Sequence, residues 1–550
     1  MKSIKKGFLS IALLACGGQA FADCESKLAA VPCASDCKID LDCNNSNVCC
    51  DQHTYYGRSH YSARSQGANG ARLLMGSADK THLFGREESY GVASVALEYT
   101  QSFNSDELAK FFSPNCNNSI TFGPNDLTPG TGGKAEAGVD VRNLDFGLDD
   151  TFKGTVCFKP KIKNFIVDLD FWFGLDEFLC GLWGRVNVPL TWTKWEVCLD
   201  ERVASAGDNT YPAADGAVNS GTNSNAVVYK KIKDAWCGDK PFGDAPALRA
   251  GKLCCTKDDD FNVAGIRFDL GYDLWRRECG YLGLATTVVA GIGTHPTAEK
   301  LFQPVVGAQH AWQFGGNVSG AYRIWSRDEN TSLTGYMDAT LTHIFREKQK
   351  RLFGLKDNGA WSQYLLLKKF KADGTYDSLE RAANILCHDV KVKANLQADV
   401  NALLAYRSCS FGAGLGFGIW YRSAEKVDDL CGAYIDENTY GVKGIEAAGD
   451  SSFNPTATIK SADRVINGVS QVKDATVAVD RASLLNNDNV DVCTGLHPEA
   501  LSGKLFGYVD YGWEDCEWQP YVLVGGEVEF GRGNTALDQW GIILKAGVTY

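Results

Sequence analysis

Residues 540–550 read Trp-Gly-Ile-Ile-Leu-Lys-Ala-Gly-Val-Thr-Tyr. Trp540, Ile542, Leu544, Ala546, Val548 and Tyr550 share one face of an extended chain, and Gly541, Ile543, Lys545, Gly547 and Thr549 share the other. Period two marks a strand whose first face is apolar throughout. A soluble sheet gains little from an exposed apolar last strand, which is an aggregation hazard. A barrel closed in lipid needs that face outward and pairs its last strand with its first.

The pattern recurs upstream. Phe165, Val167, Leu169, Phe171 and Phe173 alternate with Asn164, Ile166, Asp168, Asp170 and Trp172. Val186, Val188, Leu190 and Trp192 alternate with a face that carries Arg185 and Asn187, and Ala264 to Leu274 with one that carries Arg267, Asp269 and Asp273. Leu282 to Ile292, Leu333 to Phe345, Val390 to Val400 and Phe411 to Tyr421 continue the series. Many of these segments exceed the roughly 9–11 tilted residues that cross a bilayer core. Their second face carries Asp, Arg, Lys, Asn and Thr, which a dry sandwich core would not hold unpaired. Aromatics near strand ends (Trp172, Trp192, Tyr272, Trp325, Tyr421, Trp518, Trp540) fit interfacial girdles.

On these residues the chain resembles bacterial outer-membrane β-barrel proteins, whose closing strand ends in an aromatic residue. The resemblance implies a barrel-assembly signal at Ile542, Leu544, Ala546, Val548 and Tyr550, read by the barrel-assembly machinery. The cysteine content, with a porin-like body, also resembles the cross-linked major outer-membrane proteins of some intracellular bacteria. The expected fold is all-β: a closed antiparallel transmembrane barrel of about fourteen strands, with twelve or sixteen also compatible. Long extracellular loops are expected near 201–260, 294–310, 346–387 and 424–500, and short periplasmic turns near 176–177, 276–278, 327–330, 406–408 and 514–515. Ser105 to Phe112 reads as a short helix with Ser105 as its N-cap.

Composition agrees. The chain has 550 residues, 44% hydrophobic and 22% charged, with a net charge of −12. That is too apolar for disorder and too acidic for a nucleic-acid partner. No apolar run is long enough for a membrane helix. Lys2, Lys5 and Lys6, the apolar stretch Phe8 to Ala15, and Ala20-Phe21-Ala22 predict a cleaved export signal over 1–22. Leu13-Leu14-Ala15-Cys16 offers the rival reading of an acylation box. A cysteine-rich periplasmic segment is expected over 23–54 and the barrel over 55–550, in the outer membrane of a Gram-negative cell.

Export permits disulfides. Candidates are Cys24, Cys33, Cys37, Cys43, Cys49 and Cys50 in the N-terminal segment, and Cys431 with Cys493 in one long loop. A zinc site in the N-terminal set is the sharper reading, but the spacing lacks paired C-x2-C knuckles. The topology puts Cys116, Cys180, Cys279, Cys409 and Cys516 at periplasmic ends, and Cys198, Cys237, Cys254, Cys255, Cys387, Cys431 and Cys493 by outer loops. Disulfide-linked envelope partners and a homo-oligomer are compatible with the sequence.

The chemical motifs weaken on inspection. Pro129 to Lys134 resembles a phosphate loop, but Thr128 and Ala135 stand where Gly and Ser/Thr are required. Gly414, Gly416 and Gly418 lie inside an alternating strand. The eight His form no H-E-x-x-H pair, and His343 has no catalytic partner by spacing. The run Arg346, Lys348, Lys350, Arg351, Lys356 reads as a solvated loop face, with an anionic surface as the alternative. No enzyme activity, cofactor or metal is expected. The expected function is a porin-like channel passing small solutes. Its lumen candidates are Asp168, Asp170, Arg185, Arg267, Asp269, Asp273, Asp338, Lys391, Lys393, Asp399, Arg422, Glu527 and Glu529, and their acidic excess suggests weak cation preference. The alternative is a structural or adhesive, cysteine-cross-linked envelope protein with a plugged barrel.

Overall fold

The computed structural model describes residues 48–49, 53–85, 89–124, 138–149, 151–207, 229–254, 257–328, 330–429, 435–444, 453–461, 465–466, 469–470, 484–513 and 518–550. The export signal, Cys16, Cys24, Cys33, Cys37, Cys43, Cys50, Cys255, Cys431, Cys516 and the 129–134 motif lie outside them.

Alternating sequences form the wall. Its strands are β1 (Gly91–Ser102), β2 (Lys161–Gly174), β3 (Leu182–Glu196), β4 (Ile266–Arg277), β5 (Gly280–Ala290), β6 (Gln313–Ser326), β7 (Thr331–Leu352), β8 (Cys387–Ser408), β9 (Phe411–Arg422), β10 (Ala500–Gly512), β11 (Gln519–Gly531) and β12 (Gln539–Thr549). Each pairs antiparallel with its sequence neighbours. β12 returns to β1, with Leu97 opposite Leu544 and Tyr99 opposite Ile542, so the ring has no free edge. Backbone bonds close its last rung: Gly91 N–H donates to the Tyr550 carbonyl (3.1 Å), and Tyr550 N–H to that of Gly91 (3.2 Å). A Cβ on Gly91 would stand 2.5 Å from the Tyr550 hydroxyl and 2.7 Å from the Trp172 carbonyl, which reserves that position for glycine.

The two faces are inverted relative to a soluble protein. Leu415 is 71% exposed and Leu544 50%, whereas Glu98 is 1% and Asp168 2% exposed. Apolar side chains coat the outside and charged ones line the inside, as hydrocarbon around a polar lumen requires. Exposed Tyr406, Phe411, Tyr511, Trp513, Trp518 and Tyr550 gather at the short-turn end. Trp172 is not among the girdle residues: it is buried on the inner face with Trp183 and Tyr90.

Twelve strands stand where about fourteen were expected, because the stretch from Tyr55 to Pro160 supplies only β1 to the wall. Its other described residues form the chain inside the barrel, the helix Ser105–Phe112 and small strands above the rim. Two further strands, Lys257–Val263 and Glu425–Asp429, extend the sheet by pairing with β3 and β8. The helix has Asn104, not Ser105, at its N-cap. The Asn104 amide donates to Asp538 (2.8 Å) and gives the helix no side-chain cap bond. No described helix is long and apolar enough to cross a membrane.

Five wall-strand pairs join through short connections at one end: 175–181, 278–279, 327–330, 409–410 and 513–518. At the other end the connections 103–160, 197–265, 291–312, 353–386 and 423–499 are long, and only 532–538 is short. The described residues of the long ones pack into an apolar cap around Phe111, Phe112, Trp195, Trp236, Trp361 and Tyr364. Disulfides Cys49–Cys116 and Cys237–Cys254 brace that end, so Cys116 lies on the long-loop side rather than the periplasmic one. Cys493 is also disulfide-bonded. Cys180, Cys279 and Cys409 are free, exposed thiols on three of the short turns.

Candidate functional site

The lumen is occupied by the chain's own segment before β1. Residues 48–49 and 53–58 lie at the long-loop end, not at the periplasmic end expected for the N-terminal segment. Val48 bridges Tyr55, Cys49 is tied to Cys116, and Asn534 exchanges hydrogen bonds with the Tyr55 backbone (2.9 and 2.6 Å). From there a strap runs down the inside and leaves at the short-turn end, where Ser89 N–H bonds Glu177 (3.2 Å) before β1 begins.

Charges hold the strap. Arg64 donates to Glu529 (2.7 Å). Asn69 caps the short helix Gly70–Leu74 and bridges Glu98 (3.1 Å) and Glu527 (3.3 Å). The Gly70 N–H donates to Asp399 (2.8 Å). Arg72, 1% exposed, pairs with Asp168 (2.8 Å) and with Glu98. Lys545 donates to the Arg72 and Met75 carbonyls and the Ser77 hydroxyl (3.2, 3.0 and 2.9 Å), and Arg185 clamps Asp170 (2.8 Å) beside them. Lower down, Asp79 takes Arg407 (2.6 Å), and His82 stacks on Tyr281 at 4.0 Å and bonds Asp273 (2.8 Å). Internal cavities beside the strap are about 20–30 Å³, space for a water or two.

Most of the candidate lumen residues fall on this inner face. Asp168, Asp170, Arg185, Asp399, Glu527 and Glu529 meet the strap directly or frame it. Asp273 bonds its His82, while Arg267, Asp269 and Asp338 interlink through Thr287, Asn317 and Thr340. Lys391 and Lys393 stand apart. Asn395 and Leu396 are both exposed, and register shifts beside them invert the alternation. Above that point Val390, Val392 and Ala394 are buried, Lys391 is exposed and Lys393 half-buried. His343 meets the Asn395 carbonyl (2.9 Å) there.

A second polar cluster clasps the strap's outer end. Arg422 donates to the Ser62 hydroxyl and carbonyl (2.6 and 2.9 Å) and contacts His497 Nδ1 (2.9 Å). Arg351, fully buried rather than on a solvated loop face, donates to Glu425 (3.1 Å) and Gln309 (2.6 Å). The His497 N–H also donates to Glu425 (2.9 Å). Burial alone would raise the Glu425 carboxyl. Arg351 foremost, with Arg422, overrides it and holds the group well below the usual carboxylate range. Burial, then the cations beside them (Arg422 for His497, Arg351 for His60), keeps both imidazoles far below their ordinary range.

The unfolded chain protonates His60 and His497 near pH 6.5 and the folded cap does not, so acid favours unfolding. Stability conferred by the neutral rings is complete above about pH 6.5 and falls as pH drops below it. Glu425 adds its own loss only below about pH 4.3. The cap should be cut faster by protease at about pH 5 than at about pH 7.5, with a shallower dependence in His497→Asn. Equal rates at both pH values would contradict this account.

Closed ring, even strand count, apolar exterior and polar interior are now together. The architecture is that of a bacterial outer-membrane β-barrel. No protein-family model matches the sequence, and no curated protein matches it. Similar solved structures include an outer membrane channel from Pseudomonas putida F1 (9% identity over 85% of this chain and 98% of that one, TM-score 0.32). A Pseudomonas aeruginosa FadL homologue (8%, covering 90% and 97%, TM-score 0.25) and the translocator domain of autotransporter NalP from Neisseria meningitidis (9%, covering 88% and 94%, TM-score 0.27) are also similar. The superpositions are loose at these scores.

The strap is the feature that sequence reasoning missed. Residues 55–85 show no strand period, because each side chain answers a different wall position. The one signal on offer was three arginines, Arg58, Arg64 and Arg72, ahead of a barrel whose inner face has surplus acid.

Proposed function

We propose that this chain is an outer-membrane channel held shut by its own strap. Export through the 1–22 signal and insertion by the barrel-assembly machinery through β12 belong to the same reading, with lipid around the apolar face.

The observation that carries it is the polarity of the contact between strap and wall. Buried ion pairs are weak stabilisers, and apolar replacements of similar volume are often neutral or better. A permanent plug would be served as well by leucine and valine. Acids and bases on both sides suit a lumen that also meets water, because they are resolvated when the strap shifts. Glu98, Asp168, Glu527 and Glu529 face Arg64 and Arg72, so shifting the strap bares an acidic wall. Such a wall favours cations.

Planar-bilayer recording tests it. The native chain should give little conductance, and a chain lacking residues 23–88 should give a cation-selective pore. A variant that folds, by heat-modifiable gel migration, yet stays silent would remove the channel reading. The second reading is a cross-linked structural protein of the envelope. The exposed thiols of Cys180, Cys279 and Cys409, all at the short-turn end, favour it.

A further inference from the structure

Two histidines and a glutamate far apart in sequence meet at the long-loop rim. His295 and His310 lie in the 291–312 connection, and Glu347 lies on the upper part of β7. One donor atom from each falls within 4.8 Å of the others. The imidazoles stack with centroids 3.9 Å apart and planes 24° apart. No hydrogen bond or ion pair among the described residues occupies either ring or the Glu347 carboxylate. By contrast, His82, His343 and His497 each have a polar partner.

The backbone holding these groups is fixed. Thr294 N–H donates to the Val306 carbonyl (2.9 Å), and Lys350 N–H donates to that of Pro296 (3.3 Å), so both neighbours of His295 are anchored. A Cβ on Gly291 would stand 2.3 Å from the His310 carbonyl, so the two ends of the connection are in close contact. Gln309 and His310 have φ of 57° and 66°, left-handed values that non-glycine residues rarely adopt. Gln309 is kept there by its buried bonds to Arg351 and Glu425. Strain held by surrounding structure at two successive residues, the second with its ring beside another imidazole and a carboxylate, is a mark of a functional position.

We propose that His295, His310 and Glu347 form a binding site for a divalent transition cation, zinc first, on the outer rim of the barrel. Two imidazoles and one carboxylate are a known zinc donor set that leaves a fourth position open. Tetrahedral zinc needs its donors about 3.3 Å apart, and side-chain rotations supply that contraction from the present spacing. Hard cations such as magnesium prefer all-oxygen shells and are disfavoured. Sequence spacing conceals the site, since 36 residues separate His310 from Glu347.

The test uses the full chain in detergent with free thiols alkylated, titrated with zinc chloride against a chromogenic chelator. One zinc per chain is expected, with two imidazoles and no sulfur in its X-ray absorption spectrum. His295→Ala with His310→Ala should weaken binding by roughly 100-fold or more, and Glu347→Gln by roughly 10-fold. Heat-modifiable migration checks each fold, and Glu347→Gln with His295→Ala alone carry the test should His310→Ala misfold. A native chain that binds no zinc, a sulfur-ligated zinc, or unchanged affinity in the folded variants would overturn the site.

Discussion

Arg72→Ala should open the barrel without dismantling it. The guanidinium is the only strap group that touches both Glu98 and Asp168 among the described residues, and all three side chains are almost fully buried. Its loss leaves two carboxylates facing an alanine. Breaking a buried pair by removing one partner typically costs about 3–5 kcal/mol. Asp168 keeps the wall's own Asn187 amide (2.8 Å), and the backbone ladders of β1 with β2 and β12 are untouched, so the wall stays paired. The cost falls on the strap, which should let water in. Raised conductance and faster protease cutting within 63–85 are expected, with the heat-modifiable gel shift intact. Arg72→Lys should fall between the two, because a single ammonium lacks the fork that spans both acids. Unchanged conductance and proteolysis in Arg72→Ala would refute the strap's role.

Glu425→Gln should act at the other end. Glu425 accepts from Arg351 and from the His497 backbone, and it is the carboxylate beside two buried arginines, Arg351 and Arg422. Neutralising it strands those cations away from water, a loss again of about 3–5 kcal/mol. The cap should loosen, so proteolysis of 353–386 and 423–499 should accelerate while the wall resists. Combining it with Arg351→Met removes one stranded cation and should recover much of the loss. A double variant no better than the single would show that packing, not charge, holds the cap.

Much of the wall was legible because lipid outside and charge inside impose a period of two. The faces of 164–173, 411–421 and 540–550, and the pairing of the last strand with the first, follow from that constraint alone. The alternation misled where it was interrupted. At Asn395 and Leu396 the chain presents two exposed residues in succession, which inverts Val390 to Ala394 against Leu396 to Val400. Arg351 looks like one member of a basic run, and only the fold brings Glu425 to it from 74 residues away. The strap and the cap have no period because their partners come from many strands. Strand count suffered for the same reason: the unpatterned stretch from Tyr55 to Pro160 holds almost no wall.

The seam between β1 and β12 has a consequence for biogenesis. The strap immediately precedes β1, and the pairing of β12 with β1 seals the cylinder around it. It must therefore be threaded into position before the seam shuts, since afterwards Gly91 anchors one end and the Cys49–Cys116 bond moors the other. A chain that seals early would leave Arg64 and Arg72 outside and Glu98, Asp168 and Glu529 without those partners.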